Sequence, residues 1–139
     1  MVWSRRAEVT PLPTSTGAAE AISAAMAINP RREVVGFETE AGGTVVINPV
    51  RWTPAGEIQT FPQFRGTFVA INSSGLAVGR YEVQIEPNRF DWNVFVSIRQ
   101  GRVVTLGPGI PVAVNDRGAI VGTTEIEGVT QAVLWFVRP

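Results

Sequence analysis

The chain has 139 residues, of which 12 are basic and 12 are acidic, so its net charge at pH 7 is zero. This balance gives no overall attraction to nucleic acid or to a membrane surface. There is no cysteine and no histidine, which excludes disulfides, thiolate chemistry and histidine-based general-base catalysis. We therefore expect no cofactor and no metal. No apolar run approaches membrane-spanning length, and the first residues do not resemble a signal peptide.

One motif recurs three times, at residues 27–36, 70–79 and 113–122. In each copy an apolar run ends in Asn, a short turn follows, and a second apolar run ends in Gly. The period is 43 residues, which is typical of repeat architectures. The equivalent positions are Asn29, Asn72 and Asn115, and Gly36, Gly79 and Gly122.

Each repeat predicts four short strands, A to D, because alternating or apolar runs are bounded by Gly, Pro, Asn and Ser. The predicted segments are a closing strand at 1–13 and repeats at 14–62, 63–108 and 109–139. Residues 18–27 favour helix, but the repeat register favours a strand from residue 24 and leaves at most a helical turn before Ser23. The predicted strands are 24–28, 33–38, 44–52 and 57–61, then 67–71, 76–81, 92–98 and 103–106, then 111–114, 119–124 and 129–136.

The third repeat lacks strand D, and residues 3–13 supply a candidate because they align with 52–62. The sequence thus predicts an all-β fold of three four-stranded antiparallel propeller-like blades, whose N-terminal strand completes a C-terminal blade. Propellers typically have roughly four to eight blades, so three require partners. We expect a homodimer that closes a six-bladed ring. The alternative is an open arc belonging to a longer array.

The motif of apolar strand, Ile-Asn, two variable residues, Gly, apolar pair and Gly resembles the HAF repeat of bacterial extracellular proteins. Trp52 and Trp135 stand where that repeat often has an aromatic residue. The chain departs from the pattern at Arg32, which replaces the turn Gly, and at Ser97, which replaces the aromatic. The resemblance implies a propeller-like β architecture and an extracellular or cell-surface location. It supplies no activity and no site residues.

The repeated residues have structural and functional interpretations. The three asparagines are predicted to cap the A–B turns, with sugar binding as the alternative. The three glycines are predicted to mark bulges or close backbone approach between blades, with ligand approach as the alternative. Trp3, Trp52 and Trp135 are predicted to pack between blades, with a stacking platform as the alternative.

Charged residues are predicted to separate by the two ends of the blades. An anion-binding rim is one interpretation of the arginine-rich end, because guanidinium groups suit carboxylate, sulfate and phosphate. Solvated turns are the other. The rim candidates are Arg31, Arg32, Arg99, Arg102 and Arg117, with Arg5, Arg6, Arg51 and Arg138 near the same end. The acidic end comprises Glu38, Glu40, Glu82, Glu86, Asp91, Glu125 and Glu127.

The B–C connection of the middle repeat, residues 82–93, is predicted to be a long loop with aromatic residues among polar ones. Such a loop suits saccharide binding, because aromatic rings stack on sugars and polar groups bond to hydroxyls; binding residues also concentrate on loops. The alternative is that its aromatics only fix the loop. The candidate ligand-binding residues are Asn88, Arg89, Phe90, Asp91 and Trp92.

These observations predict a non-catalytic binding or scaffold module that recognises a glycan or a protein surface. One alternative is a purely structural repeat whose partner is its own copy. A glycan-active enzyme using Glu86 and Asp91 as a carboxylate pair is another, although their spacing is not diagnostic. The expected partners exclude nucleic acid and membrane.

Overall fold

A computed structural model describes residues 8–15, 21–39, 46–98 and 101–137. These residues form eleven strands in three antiparallel sheets, each with its strands in chain order, and contain no helix. The all-β prediction is confirmed. Sheet 1 comprises β1 (Ser23–Ile28), β2 (Val34–Thr39), β3 (Ile47–Trp52) and β4 (Ile58–Thr60). Sheet 2 comprises β5 (Gly66–Ile71), β6 (Ala77–Glu86), β7 (Arg89–Ser97) and β8 (Val103–Pro108), and sheet 3 comprises β9 (Ile110–Val114), β10 (Ala119–Ile126) and β11 (Val129–Phe136).

The turn between the first two strands has the same construction in every sheet. In sheet 2, the Asn72 N–H donates to the Leu76 carbonyl at 3.0 Å, and the Gly75 N–H donates to the Asn72 carbonyl at 3.1 Å. Gly75 has a φ of 92°, a conformation that glycine adopts without steric cost. Arg32 occupies the corresponding place in sheet 1 with a φ of 63°. The turn therefore keeps its backbone geometry even where the glycine is missing.

The repeated glycines lie opposite a bulge in the first strand of each sheet. The pairing register shifts between Ala25 and Ala27 in β1 and between Phe68 and Ala70 in β5. A Cβ atom on Gly79 would lie 2.5 Å from the Thr67 carbonyl oxygen and 2.6 Å from the Phe95 ring. Gly36 and Gly122 meet the equivalent carbonyl groups of β1 and β9 in the same way. Close backbone approach within each sheet thus requires glycine at all three positions, so the prediction that this approach lies between blades is wrong.

The sheets pack face to face in chain order and bury a core at each junction. Between sheets 1 and 2 the buried cluster is aromatic, and the Phe64 and Phe95 rings stack with centroids 4.4 Å apart. Between sheets 2 and 3 the cluster is mainly aliphatic. The buried residues are Val35, Phe61, Phe64, Phe68, Ala77 and Phe95 at the first junction, and Leu76, Val78, Val94, Val96 and Ile120 at the second.

The middle B–C connection is a hairpin, so the prediction of a long loop is wrong. Strands β6 and β7 stay paired as far as Glu86 and Arg89, with a register shift between Gln84 and Glu86, and leave only Pro87 and Asn88 as the turn. The alternation of Val83, Ile85 and Phe90 with polar residues is compatible with paired strands that protrude beyond the sheet.

The N-terminal segment does not form a strand in the part that the structure describes, which begins at residue 8. Residues 8–15 lie against sheet 1: the Trp52 Nε1–H donates to the Pro13 carbonyl at 2.8 Å, and the Ser15 hydroxyl donates to Glu38 at 2.6 Å. Trp3 lies outside the described residues, and so do residues 18–20 of the segment in which a helical turn before Ser23 is predicted; residues 21–22 are not helical. Sheet 3 has three strands among the described residues, as the missing strand D predicts.

Candidate functional site

The repeated asparagines form a ladder that joins the three sheets. In each turn the Asn Oδ1 accepts backbone N–H bonds two and four residues on; for Asn72 these come from Ser74 at 3.1 Å and Leu76 at 2.9 Å. The amide nitrogen points the other way. Asn29 Nδ2 donates to the Asn72 carbonyl at 3.0 Å, and Asn72 Nδ2 donates to the Asn115 carbonyl at 2.9 Å. One side chain therefore caps its own turn and fixes the next sheet.

The ladder stops at both ends of the described chain. Asn115 keeps its turn-capping bonds from Arg117 and Ala119, at 3.0 Å each, but its Nδ2 has no acceptor among the described residues. The carbonyl of Asn29 likewise receives no asparagine amide from an earlier sheet within those residues. Asn29 and Asn72 are buried, whereas Asn115 is exposed. The protein thus presents a ladder donor at one end and a ladder acceptor at the other.

A buried ion pair lies at the first junction, where the sequence predicted a surface arginine. Arg51 is 2% exposed; its Nη1 lies 3.3 Å from Glu33 Oε2, and its Nη2 donates to the Ser97 carbonyl at 3.1 Å. Glu33 also accepts from Asn29 Nδ2 at 2.9 Å. The placement of Arg51 on the arginine-rich rim is wrong, because strand alternation turns it toward sheet 2.

The arginine-rich end is only partly assembled. Arg31 and Arg32 are exposed on the sheet 1 turn. Arg102 and Arg117 line one cavity of about 420 Å³ between sheets 2 and 3, together with Ser74 and the apolar Leu76 and Val104. Arg99 lies outside the described residues. The structure therefore brings together two of the five predicted rim arginines.

One of the residues predicted for the acidic end, Glu38, is buried. Glu38 is 3% exposed and accepts hydrogen bonds from the Ser15 N–H and hydroxyl, so its prediction as a rim carboxylate is wrong. Glu82, Glu86, Asp91, Glu125 and Glu127 are exposed on the β6–β7 and β10–β11 hairpins. Glu40 lies outside the described residues.

Two grooves open at the acidic end, and the residues that line them occupy equivalent positions of the repeat. The first, between sheets 1 and 2, has a volume of about 240 Å³ and is lined by Val46, Ile47, Arg65, Glu82 and Trp92. The second, between sheets 2 and 3, has a volume of about 340 Å³, and its lining includes Asp91, Trp92, Pro108, Thr123, Glu125 and Thr130. Glu82 pairs with Trp92 across β6 and β7, and Glu125 pairs with Thr130 across β10 and β11. The second groove therefore repeats the first, one sheet further along.

Trp92 belongs to both grooves and is held in place from two sides. The Arg80 guanidinium lies 4.8 Å from the ring centroid, a cation–π distance. The Trp92 carbonyl accepts from the Gly109 N–H at 2.9 Å. Trp92 is partly buried, so its ring has a fixed position with an accessible part.

Three of the five predicted ligand residues line the second groove. These are Arg89, Asp91 and Trp92, with Arg89 Nη2 3.7 Å from Asp91 Oδ2. Asn88 is in the hairpin turn, and Phe90 is 51% exposed; neither lines a groove. Sequence reasoning missed Arg65 and the threonines of sheet 3. The repeat register could have found them, because it aligns the ends of β5, β10 and β11 that lie near Trp92.

The described residues contain no group of three or more Asp, Glu, His or Cys side chains that could hold a metal ion. Over the same residues there is no helix with the length and hydrophobicity needed to cross a bilayer. No family model, curated protein or solved structure matches the chain. The resemblance to the HAF repeat stays a prediction from the sequence.

Proposed function

We propose that the chain is a non-catalytic, propeller-like binding and scaffold module whose first partner is a second copy of itself. The observation that carries this proposal is the asparagine ladder, open at Asn29 and at Asn115. Repeat proteins bury the faces of each unit against neighbouring units, so a terminal unit without a cap leaves a face that needs a partner. In the proposed assembly Asn115 Nδ2 of one copy donates to the Asn29 carbonyl of the next.

The outer face of sheet 3 supports this assembly because it exposes positions that both internal junctions bury. Val35 and Val78 each precede a repeated glycine and are 0% exposed, whereas the equivalent Val121 is 45% exposed. The residue paired with Val78 is Val96, which is also 0% exposed, whereas Leu134, paired with Val121, is 51% exposed. Continuing the same packing onto sheet 1 of a second copy would cover both side chains.

The N-terminal segment supports the direction of assembly. By the alignment of 3–13 with 52–62, Pro13 and Ser15 correspond to Pro62 and Phe64 in the link that enters sheet 2. Ser15 bonds to Glu38, and Phe64 contacts Tyr81, the equivalent residue of sheet 2, with ring centroids 4.7 Å apart. Within the N-terminal segment, Ser15 therefore contacts sheet 1 at the position equivalent to that at which Phe64, in the link between sheets 1 and 2, contacts sheet 2. A strand just before this segment would belong to the preceding blade.

A ring of two chains then follows from strand counting. Among the described residues sheet 3 has no fourth strand beside β11, and Val9 is 91% exposed on the segment aligned with β4. In the proposed homodimer this segment of each copy pairs with β11 of the other, giving six four-stranded blades. Such a ring lies within the roughly four to eight blades that propellers have, and it leaves no open face.

The first test is the solution mass, measured by light scattering coupled to size exclusion. The proposal expects twice the 15.0 kDa of one chain; a larger discrete mass would support a different closed ring. A single-chain mass at every concentration would overturn self-assembly.

The second test separates the two roles of the ladder asparagine. Asn115→Asp keeps the oxygen that caps the turn but removes the amide donor. We expect weaker association with the single-chain fold unchanged, because Asn115 is exposed within one chain. The matched variant Asn72→Asp places a carboxylate against the Asn115 carbonyl at a buried site, so it should destabilise the fold itself. Equal effects of the two variants on the fold would contradict the proposed assembly.

A further inference from the structure

We infer that the two grooves beside Trp92 form one continuous binding site for a neutral linear oligosaccharide. This inference rests on the proposed non-catalytic binding role. It does not rest on self-assembly, because both grooves lie within one chain.

The chemistry of the grooves favours a hydroxyl-rich ligand with apolar faces. Trp92 provides an aromatic surface, and an aromatic surface is a large contact area with a low entropy cost. The lining of the second groove also includes Thr123 and Thr130, which carry hydroxyl groups, and Asp91 and Glu125, which carry carboxylates. Hydroxyl groups both donate and accept, and carboxylates accept from sugar hydroxyls.

The charge of the grooves favours a neutral ligand over an ion. The first groove contains one guanidinium, on Arg65, and one carboxylate, on Glu82. In the second groove the Arg89–Asp91 contact, 3.7 Å between Nη2 and Oδ2, offsets one of two acidic groups. Neither groove has the excess of one sign that recruits a polyanion or a basic peptide.

The repeat gives the site its length. Because Glu82 and Trp92 of sheet 2 have their counterparts in Glu125 and Thr130 of sheet 3, the two grooves present acids in the same register on either side of Trp92. A ligand that repeats along its own length can make the same contacts twice. A hexasaccharide should therefore bind more tightly than the disaccharide of the same sugar.

The Trp92 platform is preorganised, which lowers the cost of binding. The Arg80 guanidinium, 4.8 Å from the ring centroid, fixes the ring, and the Gly109 N–H fixes the backbone of the same residue at 2.9 Å. The platform lies on paired strands, not on a loop, so ligand binding requires no ordering of the chain.

Isothermal titration calorimetry with cellohexaose, chitohexaose, xylohexaose and maltohexaose, each beside its disaccharide, tests the inference. We expect at least one hexasaccharide to bind, with its disaccharide weaker by about tenfold or more, which corresponds to about 1.4 kcal/mol. Trp92→Ala should abolish this binding. Phe90→Ala is the matched control, because Phe90 is on the same hairpin and is 51% exposed but lines neither groove; it should leave binding unchanged.

Two further variants test the inference if Trp92→Ala does not fold. Glu82→Gln changes the first groove, and Thr130→Val changes the second. Each should lower hexasaccharide affinity and leave disaccharide binding less affected. No binding by any hexasaccharide, or equal losses in the Phe90 and Trp92 variants, would overturn the inference. Light scattering on the same samples measures whether the variants still self-associate. A failure of the oligosaccharide inference can therefore be distinguished from a failure of the proposed self-assembly. Release of new reducing ends would contradict the non-catalytic role.

Discussion

At the scale of single residues, two side-chain types carry most of the repeat. Asparagine satisfies the turn with its oxygen and the next sheet with its nitrogen, so no residue that lacks either group can replace it fully. Glycine in the second strand leaves room for a carbonyl of the bulged first strand. The motif therefore reflects local geometry: the asparagine is needed at the turn and at the neighbouring sheet, and the glycine is needed beside the bulge.

The turn of sheet 1 gives a prediction at this scale. Arg32 has a φ of 63° where the other turns have Gly75 and Gly118, and a left-handed conformation costs a non-glycine residue roughly 1–2 kcal/mol. Glycine also makes the unfolded chain more flexible, and this lowers the stability gained from relieving the strain by roughly 0.4–1 kcal/mol. Arg32→Gly should therefore raise the free energy of unfolding by about 0.5–1 kcal/mol, measured by urea denaturation.

The neighbouring residue supplies the control for this prediction. Arg31 is exposed on the same turn and does not have a positive φ. Arg31→Gly should lower stability slightly, because glycine only increases the freedom of the unfolded chain there. If both variants lost stability equally, the positive φ of Arg32 would not be a source of strain.

At the scale of elements, the two sheet junctions use one backbone pattern with different chemistry. The first buries Arg51 and Glu33 together with the Ser97 carbonyl. At the equivalent positions of sheet 2 the second junction has Val96 and Leu76, both buried among apolar residues. Phe61 and Phe64 add an aromatic layer to the first junction. The backbone pattern determines which positions of the sheets come into contact, and the side chains at those positions determine how much each junction contributes to stability.

The ion pair gives a prediction at this scale. Arg51→Val removes the guanidinium that lies 3.3 Å from the buried Glu33 carboxylate, and losing one partner of a buried pair typically costs about 3–5 kcal/mol. The double variant Arg51→Val with Glu33→Leu copies the apolar pair of the second junction. It should be clearly more stable than Arg51→Val alone, because no charge is then left buried.

Urea denaturation at one fixed protein concentration measures both variants, since self-association couples stability to concentration. Glu33→Leu alone is the third corner of the cycle and should also be less stable than the double variant. If the effects of the two single substitutions simply added, the interaction between Arg51 and Glu33 would not contribute to stability.

At the scale of the whole molecule, the described chain has unlike ends. Sheet 1 is covered on its outer side by residues 8–15 through Pro13 and Ser15. Sheet 3 exposes apolar side chains, among them Phe136 at 61% and Leu134 at 51%. An exposed apolar face of this kind is a sign of an interaction surface, and it matches the proposed contact with a second copy.

This face gives a prediction at the molecular scale. Leu134→Glu places a charge on the proposed contact surface, so it should shift the solution mass from two chains toward one. The free energy of unfolding of a single chain should change by no more than about 0.5 kcal/mol, as is usual for surface positions. Light scattering across a dilution series measures the shift.

Val129→Glu is the matched control, because Val129 is 58% exposed on the same strand, β11, but at the hairpin end and on the opposite side by alternation. It should leave the mass unchanged. An unchanged mass for Leu134→Glu would show that this face is not where copies meet.

The sequence by itself determined the repeat, the order of the eleven described strands and the turn chemistry, but it also predicted a closing strand whose described part, residues 8–13, is not a strand. These depend on short-range physics: alternation of side chains along strands, side-chain bonds within Asn turns, and the space that only glycine leaves. That is why Asn72, Gly79 and the eleven strands follow from spacing. The same local signals did not reveal the β6–β7 hairpin, because residues 82–93 carry turn formers among strand formers.

Only the tertiary structure decided which charges are buried and which surfaces meet. Arg51 and Glu38 have the sequence neighbourhood of surface residues, yet each is buried by contacts with residues far away along the chain, Ser97 and Ser15. Likewise, Trp92 joins two grooves only because neighbouring sheets bring Ile47 and Glu125 beside it. Burial and groove formation depend on the separation and orientation of sheets, which local sequence patterns do not encode.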